Sequence, residues 1–169
     1  MRLVSIVIAA LVVLGLVAPA QADTGRIRDR VDTRSAQSDI RSVQINNARH
    51  RIVLTVKFRA LRPRKRANVT ILVDPRPRDR VQFLAFAMRS ARGKTRANLL
   101  RATNLEFGGR PITCRGYTAR WQLRRNRIRI VLPQRCLHHN GPLHNFKAIA
   151  GFWDGRHGDY TAMKSVRRG

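Results

Sequence analysis

Along most of this chain, apolar and polar residues alternate with a period of two, which predicts strands with one buried face. The clearest runs are Ile52–Phe58 and Tyr117–Leu123, in which every second residue is apolar. A turn follows the second run and Ile128–Leu132 alternates again. Residues 117–132 therefore predict a β-hairpin.

Similar but weaker patterns recur at intervals of roughly ten residues, and few segments carry helix signals. They predict further strands at Ile40–Ile45, Val69–Val73, Val81–Met88, Lys94–Leu100, Phe146–Phe152 and Thr161–Val166. Val81–Met88 is apolar on both faces, which suits a central strand, although a short buried helix also fits. About eight or nine short strands favour an all-β fold, an antiparallel β-sandwich that is immunoglobulin-like or jelly-roll-like. A β-barrel is the alternative.

The first 22 residues depart from this pattern. An arginine near the start precedes the apolar run Leu3–Ala18, and Ala20-Gln21-Ala22 supplies a small-x-small site. These three parts predict a secretory signal peptide that is cleaved after Ala22. The run is shorter than the roughly 20 residues of a membrane span, and no second one follows, so no span is expected in the mature chain. The expected location is secreted, extracellular or associated with the cell envelope.

Residues 23–38 are mostly polar and predict a flexible N-terminal arm, in which a short turn of helix is an alternative. The remaining residues, 39–169, then form one basic β-sandwich domain. The two cysteines, Cys114 and Cys136, predict a disulfide in an exported chain. A reactive thiol or a metal ligand is the alternative role for them.

The net charge limits the partners of this domain. The chain has 35 basic and nine acidic residues, and removal of residues 1–22, which hold one basic residue, leaves +25. Codon usage in a GC-rich genome would explain 30 arginines against five lysines, but it would not explain the shortage of acidic residues. Such a charge predicts binding to polyanions.

Two groups of basic residues are the candidate polyanion-binding site. One group lies on the predicted hairpin, and the other lies on two Pro-Arg-rich loops that are expected at one end of the sandwich. The candidates are Arg120, Arg124, Arg127 and Arg129 on the hairpin, and Arg62, Arg64, Lys65, Arg66, Arg76, Arg78 and Arg80 on the loops. An ordinary solvated face is the alternative interpretation. Only 6% of the residues are aromatic, so stacking on nucleic-acid bases is not expected.

Catalytic and metal-binding patterns are not found. The five histidines match no zinc-ligand spacing, and Asp154–Asp159 lacks the alternating oxygen ligands of a calcium loop. No catalytic residue, metal or cofactor is therefore predicted. A hydrolase with an unrecognised Asp/His site and a cationic antimicrobial or toxin are the alternative functions.

The order of four segments carries a resemblance. These segments are Asp39–Ile45, Ile52–Phe58, Val73-Asp74 and Val131–Leu137, the last of which contains Pro-x-x-Cys-Leu. In this order the chain resembles small exported actinobacterial proteins of unassigned function over residues 39–168. The resemblance implies export, a β-sandwich and a Gram-positive host, but it implies no functional residue. This chain departs from the group in being more basic.

The sequence as a whole predicts a small exported basic protein that is not catalytic and that binds, or lies near, anionic envelope polymers. Teichoic acid or another envelope polyanion is the expected partner, and extracellular nucleic acid is a further candidate.

Overall fold

The strands make up most of the domain. The computed structural model describes residues 23–74, 81–103, 109–137, 141–151 and 158–169. These residues form twelve strands and two short 3₁₀ turns, at Leu123–Arg125 and Gln134–Leu137. The strands are β1 (Asp23–Arg28), β2 (Ile40–Asn47), β3 (Arg51–Phe58), β4 (Ala67–Asp74), β5 (Val81–Arg89), β6 (Thr95–Thr103), β7 (Arg110–Ile112), β8 (Thr118–Gln122), β9 (Arg127–Pro133), β10 (Leu143–Ala150), β11 (Asp159–Tyr160) and β12 (Lys164–Arg167).

Two antiparallel sheets pack face to face. The five-stranded sheet has the order β1-β2-β3-β9-β8, and the seven-stranded sheet has the order β11-β10-β4-β5-β6-β7, with β12 also paired to β10. Both sheets are open within the described residues, because each ends in strands that are paired on one side only. The predicted antiparallel β-sandwich is therefore confirmed, and the strands do not form the alternative barrel.

The strand alternation builds the core between the sheets. Ile52, Leu54 and Val56 of β3 are fully buried, whereas Val53 and Thr55 between them lie half-buried on the outer face. The same period of two applies in the central strands of the other sheet, where the inward residues are almost completely buried. The core therefore follows directly from the side-chain geometry of a pleated strand.

The central strand β5 is buried on both faces. Its inward residues, such as Phe83, enter the main core, while Leu84 packs with Leu72 and Ala102 in a second small cluster on the outer face. The prediction of a central strand over Val81–Met88 is confirmed, because β5 pairs with β4 on one side and β6 on the other.

The chain crosses between the sheets at β3–β4, β7–β8 and β9–β10, and the β3–β4 and β9–β10 crossings are neighbours. Since β3 pairs with β9 and β4 pairs with β10, these two crossings lie side by side. Strands β2-β3-β9-β8 and β12-β10-β4-β5-β6 thus follow the order of a variable-type immunoglobulin sandwich, with β1, β7 and β11 added. This order describes architecture and implies no function.

The predicted N-terminal arm needs correction. Asp23–Arg28 is strand β1, which pairs with β2 over its whole length, so it is part of the sheet rather than a flexible extension. Residues 29–39 form the connection to β2. The backbone of this connection forms hydrogen bonds within itself and with the rest of the domain. For example, Ala60 N donates to Ala36 O at 3.0 Å. Among the described residues, the five-stranded sheet therefore already includes Asp23–Arg28, ahead of Asp39.

The disulfide between Cys114 and Cys136 is confirmed, with the two Cα atoms 5.6 Å apart. It joins the segment before β8 to the 3₁₀ turn after β9, beside the β8–β9 hairpin. In the part of the chain that the structure describes, no helical segment has the length and apolar character needed to cross a membrane.

Three connections meet at one end of the sandwich, which we call the distal end. They are the β3–β4 loop, the β5–β6 turn and the β8–β9 turn. Asn126 in the β8–β9 turn accepts hydrogen bonds from Phe58 N at 2.8 Å and from Leu61 N at 2.9 Å. Arg89 at the end of β5 donates to Lys65 O at 3.1 Å. These bonds fix the three connections relative to one another.

Candidate anion-binding surface

The outer face of the five-stranded sheet carries two neighbouring rows of basic residues. The first row crosses the strands through Arg26, Gln44, Thr55, Arg129 and Arg120. The second row crosses them through Arg28, Ser42, Lys57, Arg127 and Gln122. We call the six basic residues of these two rows the arginine rows. All of them are exposed except Arg127, which is half-buried.

The cross-strand register places like charges directly opposite each other. Arg120 pairs with Arg129, and Lys57 pairs with Arg127. Opposed residues on neighbouring antiparallel strands have Cβ atoms about 5 Å apart, and like charges in that position are destabilising. Neither row contains an acidic residue, and none of the six side chains forms an ion pair within the described residues. The surface therefore has a local excess of positive charge that the described chain does not neutralise.

A shallow hollow of about 400 Å³ lies beside the first row, over β1, β2 and β3. Its walls include the amides of Gln44 and Asn46 and the hydroxyls of Thr24 and Thr55. Such groups donate and accept hydrogen bonds without adding charge. The surface thus combines cations with neutral groups that suit hydroxyl-rich ligands.

No protein-family model matches this chain, and no curated protein is similar to it. We therefore identify the candidate site from the geometry of this chain alone.

The structure brings together three of the predicted hairpin residues. Arg120, Arg127 and Arg129 share the outer face of the sheet, as their alternation predicts. Arg124 lies beyond them in the β8–β9 turn and is exposed at the distal end. Arg26, Arg28 and Lys57 were not predicted as site residues. The first two lie on β1, which was predicted as an arm, and Lys57 joins the rows through the pairing of β3 with β9, which are distant in sequence.

Of the two predicted loop clusters, the structure describes only residues 62–66. Residues 62–66 lie at the distal end, next to the β8–β9 turn, and Arg62, Arg64, Lys65 and Arg66 are all exposed. Arg76, Arg78 and Arg80 lie outside the described residues. The residues that flank them, Asp74 and Val81, are at the opposite end of β4 and β5 from Ala67 and Arg89. The joint cluster of the two loops stays a prediction, because the structure describes only one of them.

Four of the six described aspartates form one cluster, which we call the acidic cluster. Asp29, Asp32 and Asp39 belong to the β1–β2 connection, and Asp159 is in β11. Asp159 is 4% exposed, and its Oδ2 accepts a hydrogen bond from Ile40 N at 2.5 Å. Burial, reinforced by the negative charges of Asp29 and Asp32, raises the pKa of Asp159 to about 6. This acidic cluster fastens the N-terminal connection to β11.

Burial also raises the pKa of Asp39, against the opposing effect of the Arg59 guanidinium. Arg59 Nη1 lies 3.3 Å from Asp39 Oδ2, and Arg59 Nη2 donates to the carbonyls of Thr33 and Arg34. Arg59 thus holds the β1–β2 connection against the end of β3. These contacts give the acidic cluster a structural role.

The described histidines do not form a catalytic pair. His144 is completely buried in β10, where its Nδ1 lies 3.0 Å from Asn47 Nδ2. Gln134 Nε2 donates to Asn47 Oδ1 at 2.6 Å and completes a buried polar network. Burial, reinforced by the charge of Arg168, lowers the pKa of His144 to about 4. His50 is exposed, and neither of these two histidines bonds a carboxylate within the described part of the chain.

Proposed function

We propose that this protein is exported and that it binds anionic polymers of the cell envelope through the arginine rows, without catalysing a reaction on them. The observation that supports this proposal most directly is the pair of opposed like charges, Arg120 with Arg129 and Lys57 with Arg127. Like charges directly opposite each other on neighbouring strands repel and are destabilising. An anionic group bound between the two cations would replace this repulsion with attraction.

The dimensions of the surface suit a polymer better than a single ion. The rows cross five strands, which corresponds to about 19 Å at the usual strand spacing. Several anionic groups along one chain could therefore contact the surface together. Each contact would release condensed counterions, which makes such binding strongly dependent on salt.

The neutral groups favour a polymer of polyol or sugar phosphates over nucleic acid. The rows and the adjacent hollow offer amides and hydroxyls, while the described residues of the rows include no aromatic side chain for base stacking. Teichoic acid has this chemistry, and it would be present in the Gram-positive host that the resemblance implies. Nucleic acid would then bind through its charge alone.

The expected export of the chain supports binding to polymers outside the cytoplasm. The leader over residues 1–22 has the three parts of a signal peptide, and disulfides persist in oxidising compartments outside the cytoplasm. A cleaved leader and the Cys114–Cys136 bond together would place the basic domain where envelope polymers occur.

The decisive experiment measures retention of the processed protein, residues 23–169, on immobilised teichoic acid, heparin and DNA across a sodium chloride gradient. We expect elution from teichoic acid at the highest salt. The double substitution Arg120→Gln with Arg129→Gln should lower that elution point and reduce the salt dependence by about one unit of slope for each lost phosphate contact.

The matched control is Arg49→Gln with Arg167→Gln, which removes the same charge from exposed residues outside the rows. It should lower retention only slightly. Release from all three polymers together at low salt would contradict the proposed role, and so would equal effects of the two double substitutions.

A further inference from the structure

A second basic site lies on the other sheet, at the distal end. It is a hollow of about 350 Å³ between the β3–β4 loop and the β5–β6 turn, and we call it the end pocket. Its lining residues are Arg66, Met88, Ser90, Arg92, Lys94 and Arg96. The arginine rows belong to the five-stranded sheet, so the two sites share no residue.

The end pocket concentrates charge that has no internal partner. Four of its six lining residues are cations and none is acidic. The side chains of Arg66, Arg92, Lys94 and Arg96 form no hydrogen bond or ion pair with any other described residue. Their charged groups are therefore free to bind a ligand.

The β5–β6 turn holds two of these cations in a fixed loop. Ser90 O accepts a hydrogen bond from Gly93 N at 3.0 Å, and Ser90 Oγ accepts one from Lys94 N at 3.1 Å. Gly93 has a positive φ of 85°, a conformation that favours glycine. Arg92 and Lys94 thus lie on either side of Gly93 within one well-defined turn.

A fifth cation lies directly behind this turn. Arg89 is only 8% exposed, and its Nη1 donates to Lys65 O at 3.1 Å. A Cβ atom built on Gly93 would lie 3.5 Å from Arg89 Nη2, so the guanidinium contacts the turn between two lining residues. Arg89 has no carboxylate partner within the described residues, and an unpaired buried charge is unfavourable. An anion in the end pocket would reduce that penalty.

We propose that the end pocket binds a phosphate group at the terminus of a ligand, that is, a phosphomonoester. A phosphomonoester carries close to two negative charges at neutral pH and has three acceptor oxygens. Guanidinium groups bind such oxygens in a bidentate manner. A carboxylate has one charge and two oxygens, so it would leave more of the four lining cations without a partner.

The test is isothermal titration of the processed protein with inorganic phosphate, glycerol 3-phosphate, dimethyl phosphate and acetate in 150 mM sodium chloride, a concentration of about physiological strength. We expect saturable binding of one equivalent of inorganic phosphate and of glycerol 3-phosphate. Dimethyl phosphate and acetate, with one charge each, should bind at least about tenfold more weakly, which corresponds to about 1.4 kcal/mol.

The double substitution Arg92→Gln with Lys94→Gln should weaken phosphate binding by more than tenfold. Arg26→Gln with Arg129→Gln removes the same charge from the arginine rows and should change phosphate binding by less than twofold. A second pair in the end pocket, Arg66→Gln with Arg96→Gln, repeats the test outside the turn in case the first pair alters its structure. Absence of saturable phosphate binding, or equal weakening by the row and pocket substitutions, would overturn the proposal.

Retention on teichoic acid is measured with the same variants, so that this proposal and the proposed function can fail separately. The row substitutions should lower polymer retention and leave phosphate binding intact. The pocket variants test phosphate binding, and the row variants test polymer retention. Either result can therefore fail without the other.

Discussion

The buried carboxylate of Asp159 makes a specific prediction about stability and pH. The pKa of this group is about 6 in the folded protein and 3.8 in an ordinary environment. Because the folded state binds the proton more tightly than the unfolded state, acidification from pH 6 towards pH 4 stabilises the fold through this residue. Each pKa unit corresponds to about 1.4 kcal/mol, so the full effect is about 3 kcal/mol.

The substitution Asp159→Asn isolates this effect, since it keeps a side-chain oxygen for the hydrogen bond from Ile40 N but removes the charge. At pH 7.5 the variant should be more stable than the parent protein by up to about 3 kcal/mol. At pH 4, where the parent carboxyl is protonated, the two proteins should have nearly the same stability. The measurement is urea denaturation at half-unit pH steps, followed by the fluorescence of Trp121, which packs 5.9 Å from Phe58.

The control is Asp32→Asn, which makes the same change in net charge at an exposed carboxyl of the same cluster. Its effect is subtracted to remove the general self-repulsion of a strongly basic protein. If the difference between Asp159→Asn and the parent does not change with pH, burial does not control this carboxyl and the reasoning is refuted. A variant that is less stable at every pH would show that the ionised form is stabilised by its hydrogen bonds.

Four further predictions concern stability. The folded pKa of His144, about 4, lies below its ordinary value of 6.5, so acidification between these values destabilises the fold by about 3 kcal/mol, and His144→Gln should abolish this loss in acid denaturation curves. Cys114→Ser with Cys136→Ser opens a loop of 22 residues and should lower the unfolding free energy by about 3 kcal/mol; an unchanged urea midpoint would contradict this. Gly25→Ala would bring a Cβ against Val166 Cγ2 and should cost about 1–3 kcal/mol, whereas Thr24→Ala on the outer face should be nearly neutral in the same assay. Phe83→Ala in the core should cost about 3–5 kcal/mol by thermal or urea unfolding.

The strands with a clean period of two could be predicted from the sequence. The β2–β3 and β8–β9 hairpins agree with the predicted runs, because most of their inward positions are apolar and the two strands of each hairpin are close in sequence. Strand β1 could not be recognised in this way. Its inward positions include Gly25, where Val166 leaves no room for a side chain, so only Ile27 is apolar. Strands β7 and β11 have three and two residues, which is too short to carry a period.

The candidate site was predictable only within one hairpin. Alternation is enough to place Arg120, Arg127 and Arg129 on one face, because β8 and β9 are neighbours in sequence. The pairing of β3 with β9 joins residues at least 70 positions apart and puts Lys57 opposite Arg127. No local pattern predicts that contact, since it depends on the two side-by-side crossings between the sheets. The buried contacts of Asp159 and Arg89 depend on the tertiary fold in the same way.

The first and last described residues meet at one corner of the sandwich. Asp23 pairs with Asn47, and Gly169 N donates to the carbonyl of the same Asn47 at 3.0 Å. Asp23 Oδ2 also accepts a hydrogen bond from Arg167 N at 3.1 Å. A short peptide could therefore join residue 169 to residue 23, and new ends opened at Gly93 should give a circular permutant with the same two sheets. A surface tether fused at either terminus would hold the domain by this corner and leave the distal end facing outward.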